Sequence, residues 1–126
     1  MIRDDVLKDN SDGRIKVFVV WEAILPKDSA DAVDDAVDLM KDEWRAIQFW
    51  DPVAESGKRV RRLMNLEIPN PAWDIYLLYA RGTKWEQPSP PTPAFWMHQL
   101  NGERRHADLR LDTTRLREEV QKLLAK

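Results

Sequence analysis

Ile15-Lys16-Val17-Phe18-Val19-Val20-Trp21, running into Glu22-Ala23-Ile24-Leu25-Pro26-Lys27-Asp28, is the stretch whose reading decides the fold. Apart from Lys16 its first seven residues are β-branched or aromatic. A strand that reads apolar on both faces is one covered on both faces, as in a central parallel strand. Pro26 forbids its continuation. Asp28 or Ser29 then caps a helix, since either side-chain oxygen accepts from orphan backbone amides. Val33, Val37, Met40 and Trp44, with Ala36, recur at helical spacing. Asp31, Asp34 and Asp35 crowd its first turns, where the helix dipole favours anions. Ala46-Ile47-Gln48-Phe49-Trp50 reads as a second strand. Residues 14–51 therefore predict strand, crossover helix, strand: a parallel pair with a right-handed connection.

Outward from this unit, residues 1–13 read as a flexible N-terminal arm, with Asn10-Ser11-Asp12-Gly13 as turn chemistry, and residues 14–126 as a single domain. Asp51-Pro52 predicts a helix start, with an acidic cap and proline at the first position. Val53, Val60, Leu63 and Met64 make its apolar stripe, and Gly57 on that stripe weakens the helix or permits close packing. Lys58, Arg59, Arg61 and Arg62 form its other face, read as a solvated basic face, with an anion or acidic-partner patch as the alternative. Pro69-Asn70-Pro71 closes a linker, and Trp73–Tyr79 predicts a third, central strand. Residues 80–93 form a proline-rich loop of a length more often functional or disordered than neutral. Ala94–Leu100 predicts a fourth strand. Asn101-Gly102 is a strong hairpin signal, so the alternating Arg105–Leu111 reads as an edge strand. Asp112 caps a last helix from Thr113.

With 126 residues, 43% hydrophobic and 33% charged, the chain suits one soluble domain with one core. A net charge of −2 makes no electrostatic case for nucleic acid or an anionic membrane. No run reaches the roughly 18 apolar residues that span a bilayer. The polar start, Met-Ile-Arg-Asp-Asp, does not read as a secretory signal, so a cytoplasmic location is expected. Zero cysteine removes disulfides, thiolate nucleophiles and zinc–thiolate sites together. His98 and His106 are too few for a His-rich metal site and read as a pair across the hairpin. Four scattered glycines build no phosphate loop. No cofactor and no metal is expected.

The order β-α-β-α-β-β-(β)-α resembles the thioredoxin-like fold, with a mixed four- to five-stranded sheet flanked by helices. Pro93-Ala94-Phe95-Trp96-Met97-His98-Gln99-Leu100-Asn101-Gly102 and the Leu-rich helix beyond are similar to the end of thioredoxins. The resemblance makes Thr92-Pro93 the candidate cis bond. Val20–Asp28 and Gln48–Pro52 also resemble a group of uncharacterised, cysteine-lacking bacterial thioredoxin-like proteins. Thioredoxins carry Cys-x-x-Cys where this chain has Leu25–Asp28, so dithiol exchange is excluded. If Trp73–Tyr79 pairs with Ala94–Leu100, then Arg105–Leu111 is the extra edge strand. That arrangement is favoured because Trp73–Tyr79 reads as the more buried strand.

Four of the six tryptophans precede an acid: Trp21-Glu22, Trp50-Asp51, Trp73-Asp74 and Trp85-Glu86. In open α/β sheets the crevice lies beyond the carboxyl ends of the strands. A third strand antiparallel to the first brings Trp73-Asp74 to the rim where Trp21-Glu22 and Trp50-Asp51 end. The expected binding rim is Trp21, Glu22, Pro26, Lys27, Asp28, Trp50, Asp51, Trp73 and Asp74, with Pro93 added by the thioredoxin resemblance. Aromatic faces beside carboxylates suit a cationic or amphipathic ligand. The bland alternative is that the indoles plug the ends of the core and the acids cap helices. The functional expectation is a non-redox binding or accessory module for an unknown small ligand or protein partner. The alternatives are a small hydrolase using a carboxylate pair, Glu22 with Asp51 or Asp74, and a homodimer paired through an edge strand or the proline loop with Trp85.

Overall fold

Val17–Glu22 (β1) and Ala46–Asp51 (β2) lie side by side as a parallel pair, with Val17 opposite Ala46 and Glu22 opposite Asp51. The computed structural model describes residues 2–126. The crossover carries helix α1, Ala30–Val37, capped by Ser29, whose Oγ accepts from the Ala32 amide. Asp38–Met40 adds a 3-10 turn. The apolar spacing predicts a helix reaching Trp44, but the α-helix stops at Val37 and Trp44 is left exposed. Trp21 Nε1 donates to Gln48 Oε1 at 2.9 Å, and Gln48 Nε2 donates to the Val37 carbonyl at 3.2 Å, so α1 is tied to one face of the ribbon.

Helix α2 spans Glu55–Met64, three residues later than Asp51-Pro52 predicts. Ala54 occupies its N-cap in the left-handed region (φ 51) with no side-chain cap bond. Asp51 stays at the end of β2 and reaches forward to accept from the Val53 and Ser56 amides. Ile75–Leu78 (β3) and Phe95–His98 (β4) pair antiparallel, the arrangement favoured from the sequence. One face of this sheet meets Val60, Leu66, Ile68, Ala72 and Leu100 through Ile75, Leu77 and Trp96. The other presents Tyr76, Leu78, Phe95 and Met97 to Val6, Leu116 and Val120. Helix α3, Thr113–Leu124, is capped by Asp112, which accepts from the Arg115 amide. Within the first thirteen residues, Arg3–Leu7 forms a π-helical turn, and Val6 packs in the core against Met97 and Leu116.

The chain is thus mixed α/β, but the four strands of the described residues form two separate two-stranded sheets rather than one mixed sheet. β3 is covered on both faces, as its continuous apolar sequence requires, though it has one strand neighbour instead of two. β1 departs further. From Val17 to Trp21 its residues alternate between half-buried and exposed, so among the described residues the expected covering on both faces is missing over most of the strand. Arg105–Leu111 is not an edge strand. Carboxylates pull the backbone after Gly102 out of hairpin register: Glu103 accepts from the Glu67 amide at 2.6 Å, and Glu67 accepts from the Arg104 and Arg105 amides. What remains is a 3-10 turn, Ala107–Leu109, and a single parallel bridge between His98 and Arg110. Among the described residues every peptide bond is trans, Thr92-Pro93 included. No helix of the described residues is long and apolar enough to cross a membrane.

Candidate functional site

Register puts Glu22 beside Asp51, because β1 and β2 are parallel and both end there. Alternation places them on the ribbon face opposite Trp21 and Trp50, which are themselves cross-strand partners. Ser56, in the first turn of α2, stands between the two carboxyls: its Oγ lies 2.7 Å from Glu22 Oε1 and 2.6 Å from Asp51 Oδ2. Gly57 lets α2 come this close. A Cβ there would meet the Ala72 carbonyl oxygen at 2.5 Å and Glu22 Oε1 at 2.6 Å. Of the two readings of Gly57, close packing is the one found.

A hydroxyl carries one proton. It donates to one carboxyl, and the second short contact is favourable only if the other carboxyl donates to Oγ. The environments decide which one holds that proton. Burial pushes the Glu22 carboxyl above its ordinary range; the Ser56 hydroxyl and Gly57 amide draw it part of the way back, and the charge of Asp51 adds to the rise. Burial also acts upward on Asp51, but the Ser56 hydroxyl and the amides of Ser56, Glu55 and Val53 outweigh it and hold the carboxyl low. Of the two carboxyls Asp51 therefore ionises first and Glu22 keeps its proton to higher pH, and while it does so it can donate to Ser56 as Ser56 donates to Asp51.

Beyond β1 the chain turns through Ile24–Asp28. Asp28 closes the turn, its Oδ2 accepting from the Leu25 amide at 2.7 Å and the Ile24 amide at 3.0 Å. These two bonds, Leu25 first, hold its carboxyl below the ordinary range against partial burial, with a small contribution from Lys27. Ala23, Ile24, Leu25 and Asp28 form one wall of a pocket of about 370 Å³, and Asn70, Pro71 and Trp73 form the other. Oδ1 of Asp28 has no hydrogen-bond partner among the described residues.

The expected rim divides. Trp73 and Asp28 share this pocket, and Glu22 and Asp51 share Ser56. Trp21 and Trp50 lie together on the α1 side. Pro26 and Lys27 are exposed on the turn. Asp74 is exposed in the left-handed region (φ 50). It acts on Tyr76, whose hydroxyl burial, and then the charge of Asp74, hold above the ordinary range. Pro93 precedes β4 at the Leu78 end of β3, while Trp73 precedes the opposite end. The two histidines do not face each other. His98 is buried, its Nδ1 accepting from the Leu100 amide and its Nε2 donating to the His106 carbonyl, while His106 Nδ1 meets Glu103 at 3.0 Å. Sequence reading missed Ser56, Asn70 and Pro71. Ser56 next to Gly57 in a helix otherwise crowded with charge was the available signal; Asn70 and Pro71 carried none beyond linker chemistry.

Comparison with protein families, with curated proteins and with solved structures finds no match to this chain.

Proposed function

We propose that the chain is a non-redox binding module whose ligand site is the pocket between Ile24–Asp28 and Asn70–Trp73. The carrying observation is the pocket itself, a hollow at the carboxyl end of β1 walled by an indole, aliphatic side chains and one carboxylate. Asp28 is ionised at neutral pH and keeps Oδ1 available, and the Trp73 face is a surface for a cation or an apolar stem. The ligand class is a small amphipathic cation. The thioredoxin-like reading belongs to this proposal and is supported by the order β-α-β-α-β-β-α. Without cysteine such a module has no dithiol chemistry. A carboxylate-pair hydrolase has less support, because Ser56 fills the gap between Glu22 and Asp51 that a substrate or water would need.

Titration with choline, tetramethylammonium and lysine amide, followed by tryptophan fluorescence and thermal shift, tests the proposal. A saturable spectral change with a rise in Tm is expected, absent in Trp73→Ala. Asp28→Asn keeps an oxygen for the two turn amides but removes the charge, and weakens binding about 10-fold or more. No saturable change up to millimolar cation, or a change that persists in Trp73→Ala, overturns the assignment.

A further inference from the structure

The ribbon of β1 and β2 has one face covered by α1 and one face that α2 reaches only at the Glu22–Asp51 end, leaving the rest of it bare. Val17, Val19, Trp21, Ala46, Gln48 and Trp50 alternate onto the α1 side. On the opposite side Phe18 stands beside Ile47 and Val20 beside Phe49. Phe18, Ile47, Val20 and Phe49 are 64%, 52%, 44% and 49% exposed, and the Phe18 and Phe49 rings stack at 6.4 Å. No residue of β1 or β2 belongs to either core cluster of the described residues. Parallel strands are found almost only with both faces covered, and a lone two-stranded ribbon is marginal in water. The β3–β4 sheet, equally continuous in its apolar sequence, does have both faces covered.

We propose that the bare face seats a second copy of this chain, the two ribbons stacking face to face about a two-fold axis that crosses the strands. Area supports self-association. The four side chains expose roughly 400 Å², at the size where a patch marks an interaction site. Trp44, 69% exposed, stands just before β2 with the Lys16 ammonium 5.6 Å and the Arg45 guanidinium 5.8 Å from its ring. An interface that takes in that indole uses roughly 550 Å² of each copy, so a pair buries about 1,100 Å², above the roughly 1,000 Å² expected of a specific interface. The middle of the face, Phe18, Val20, Ile47 and Phe49, is apolar and uncharged, so a second copy offers it a matching surface. Charge sets the orientation. Lys16 precedes one end of the ribbon, and the carboxylate of Asp51 stands at the other. Antiparallel stacking lays the basic end of each copy over the acidic end of the other; parallel stacking would lay like over like. In the antiparallel arrangement Ile47 of each copy meets Phe49 of the other.

Light scattering coupled to size exclusion, on the full chain from about 5 to 500 µM, reads the mass. The wild-type chain is expected at twice its chain mass. Ile47→Asp and Phe49→Lys each run as monomers, with dimer dissociation constants raised about 100-fold or more. Both sites are exposed, so far-UV circular dichroism of the variants stays that of the wild type. Mixing the two variants restores a heterodimer: at one contact the introduced carboxylate faces the introduced ammonium, and at the other the native Phe49 of the first variant faces the native Ile47 of the second. A wild-type chain that stays monomeric at 500 µM overturns the inference and leaves the face to a different protein. A dimer that survives Ile47→Asp overturns it by placing the interface elsewhere. Monomeric variants that do not re-pair on mixing overturn the antiparallel stacking. The face shares no residue with the Trp73 pocket, so either proposal fails without the other.

Discussion

Glu22→Gln isolates the proton held between β1 and α2. Glutamine keeps the shape, donates an N–H to Ser56 Oγ and leaves an oxygen for the Gly57 amide, so it fixes the protonated arrangement at every pH. In the wild-type chain Glu22 must lose its proton as pH rises. Glu22 and Asp51 are each within hydrogen-bond reach of one oxygen, at 2.7 and 2.6 Å, so their nearest oxygens are no more than about 5 Å apart. Two full charges at that separation repel by about 3 kcal/mol at an effective dielectric constant near 20, and by about 1–2 kcal/mol once the partial exposure of both groups is counted. The sign follows from proton counts. Between the ordinary Glu value of 4.5 and its raised folded value, the folded chain holds a proton that the unfolded chain has released. The contribution of Glu22 is therefore complete below 4.5 and is lost as pH climbs through the raised value. Asp51 works the other way: its contribution is present above 3.8 and is lost as pH falls through its lowered value. Urea unfolding followed by tryptophan fluorescence at pH 4, 6 and 8 is the assay. Glu22→Gln should match the wild type at pH 4 and exceed it by about 1–2 kcal/mol at pH 8, or roughly 3–8 °C in Tm. A difference that does not grow with pH, or a variant less stable at pH 8, refutes the assignment of the proton to Glu22.

Gly57→Ala should destabilise by about 2–3 kcal/mol, since the new Cβ meets the Ala72 backbone oxygen at 2.5 Å, whereas the same change in an exposed helix gains up to about 1 kcal/mol; equilibrium unfolding gives the sign directly. Arg45 is 4% exposed, pairs with Glu43 at 2.5 Å and donates to the carbonyls of Leu7, Asn10 and Asp12. Arg45→Met strands Glu43 and three carbonyls, so a loss of about 3–5 kcal/mol is expected, with trypsin cutting at Lys8 earlier than in the wild type; an unchanged cleavage rate would contradict the anchoring role. Asp112→Ala removes the cap on the Arg115 amide and should lower stability by about 1 kcal/mol, while Asp112→Ser recovers most of it.

Local chemistry alone determined a good part of this protein. The β-branched and aromatic run Val17–Trp21 and the Asp112 cap were legible, because each depends on residues adjacent in sequence; the α1 cap was narrowed to Asp28 or Ser29, and the pairing of Trp73–Tyr79 with Ala94–Leu100 was favoured over the alternative because Trp73–Tyr79 is the more continuously apolar run. The meeting of Glu22 and Asp51 was legible too, since two parallel strands of like length must end together. Tertiary structure decided what depends on distant partners. Glu103 and Glu67, one on each side of the β3–β4 segment, capture backbone amides and turn a strand-like alternation into a 3-10 turn. Ser56 enters between two carboxyls only because Gly57 lets a helix approach the Ala72 carbonyl. Trp73 meets Asp28 across a pocket to which no sequence period points. A strand apolar on both faces asks to be covered on both. Its sequence states that requirement; whether the cover comes from the same chain or from a second one is set by where the other sheet docks, and here that sheet leaves Phe18, Val20, Ile47 and Phe49 bare.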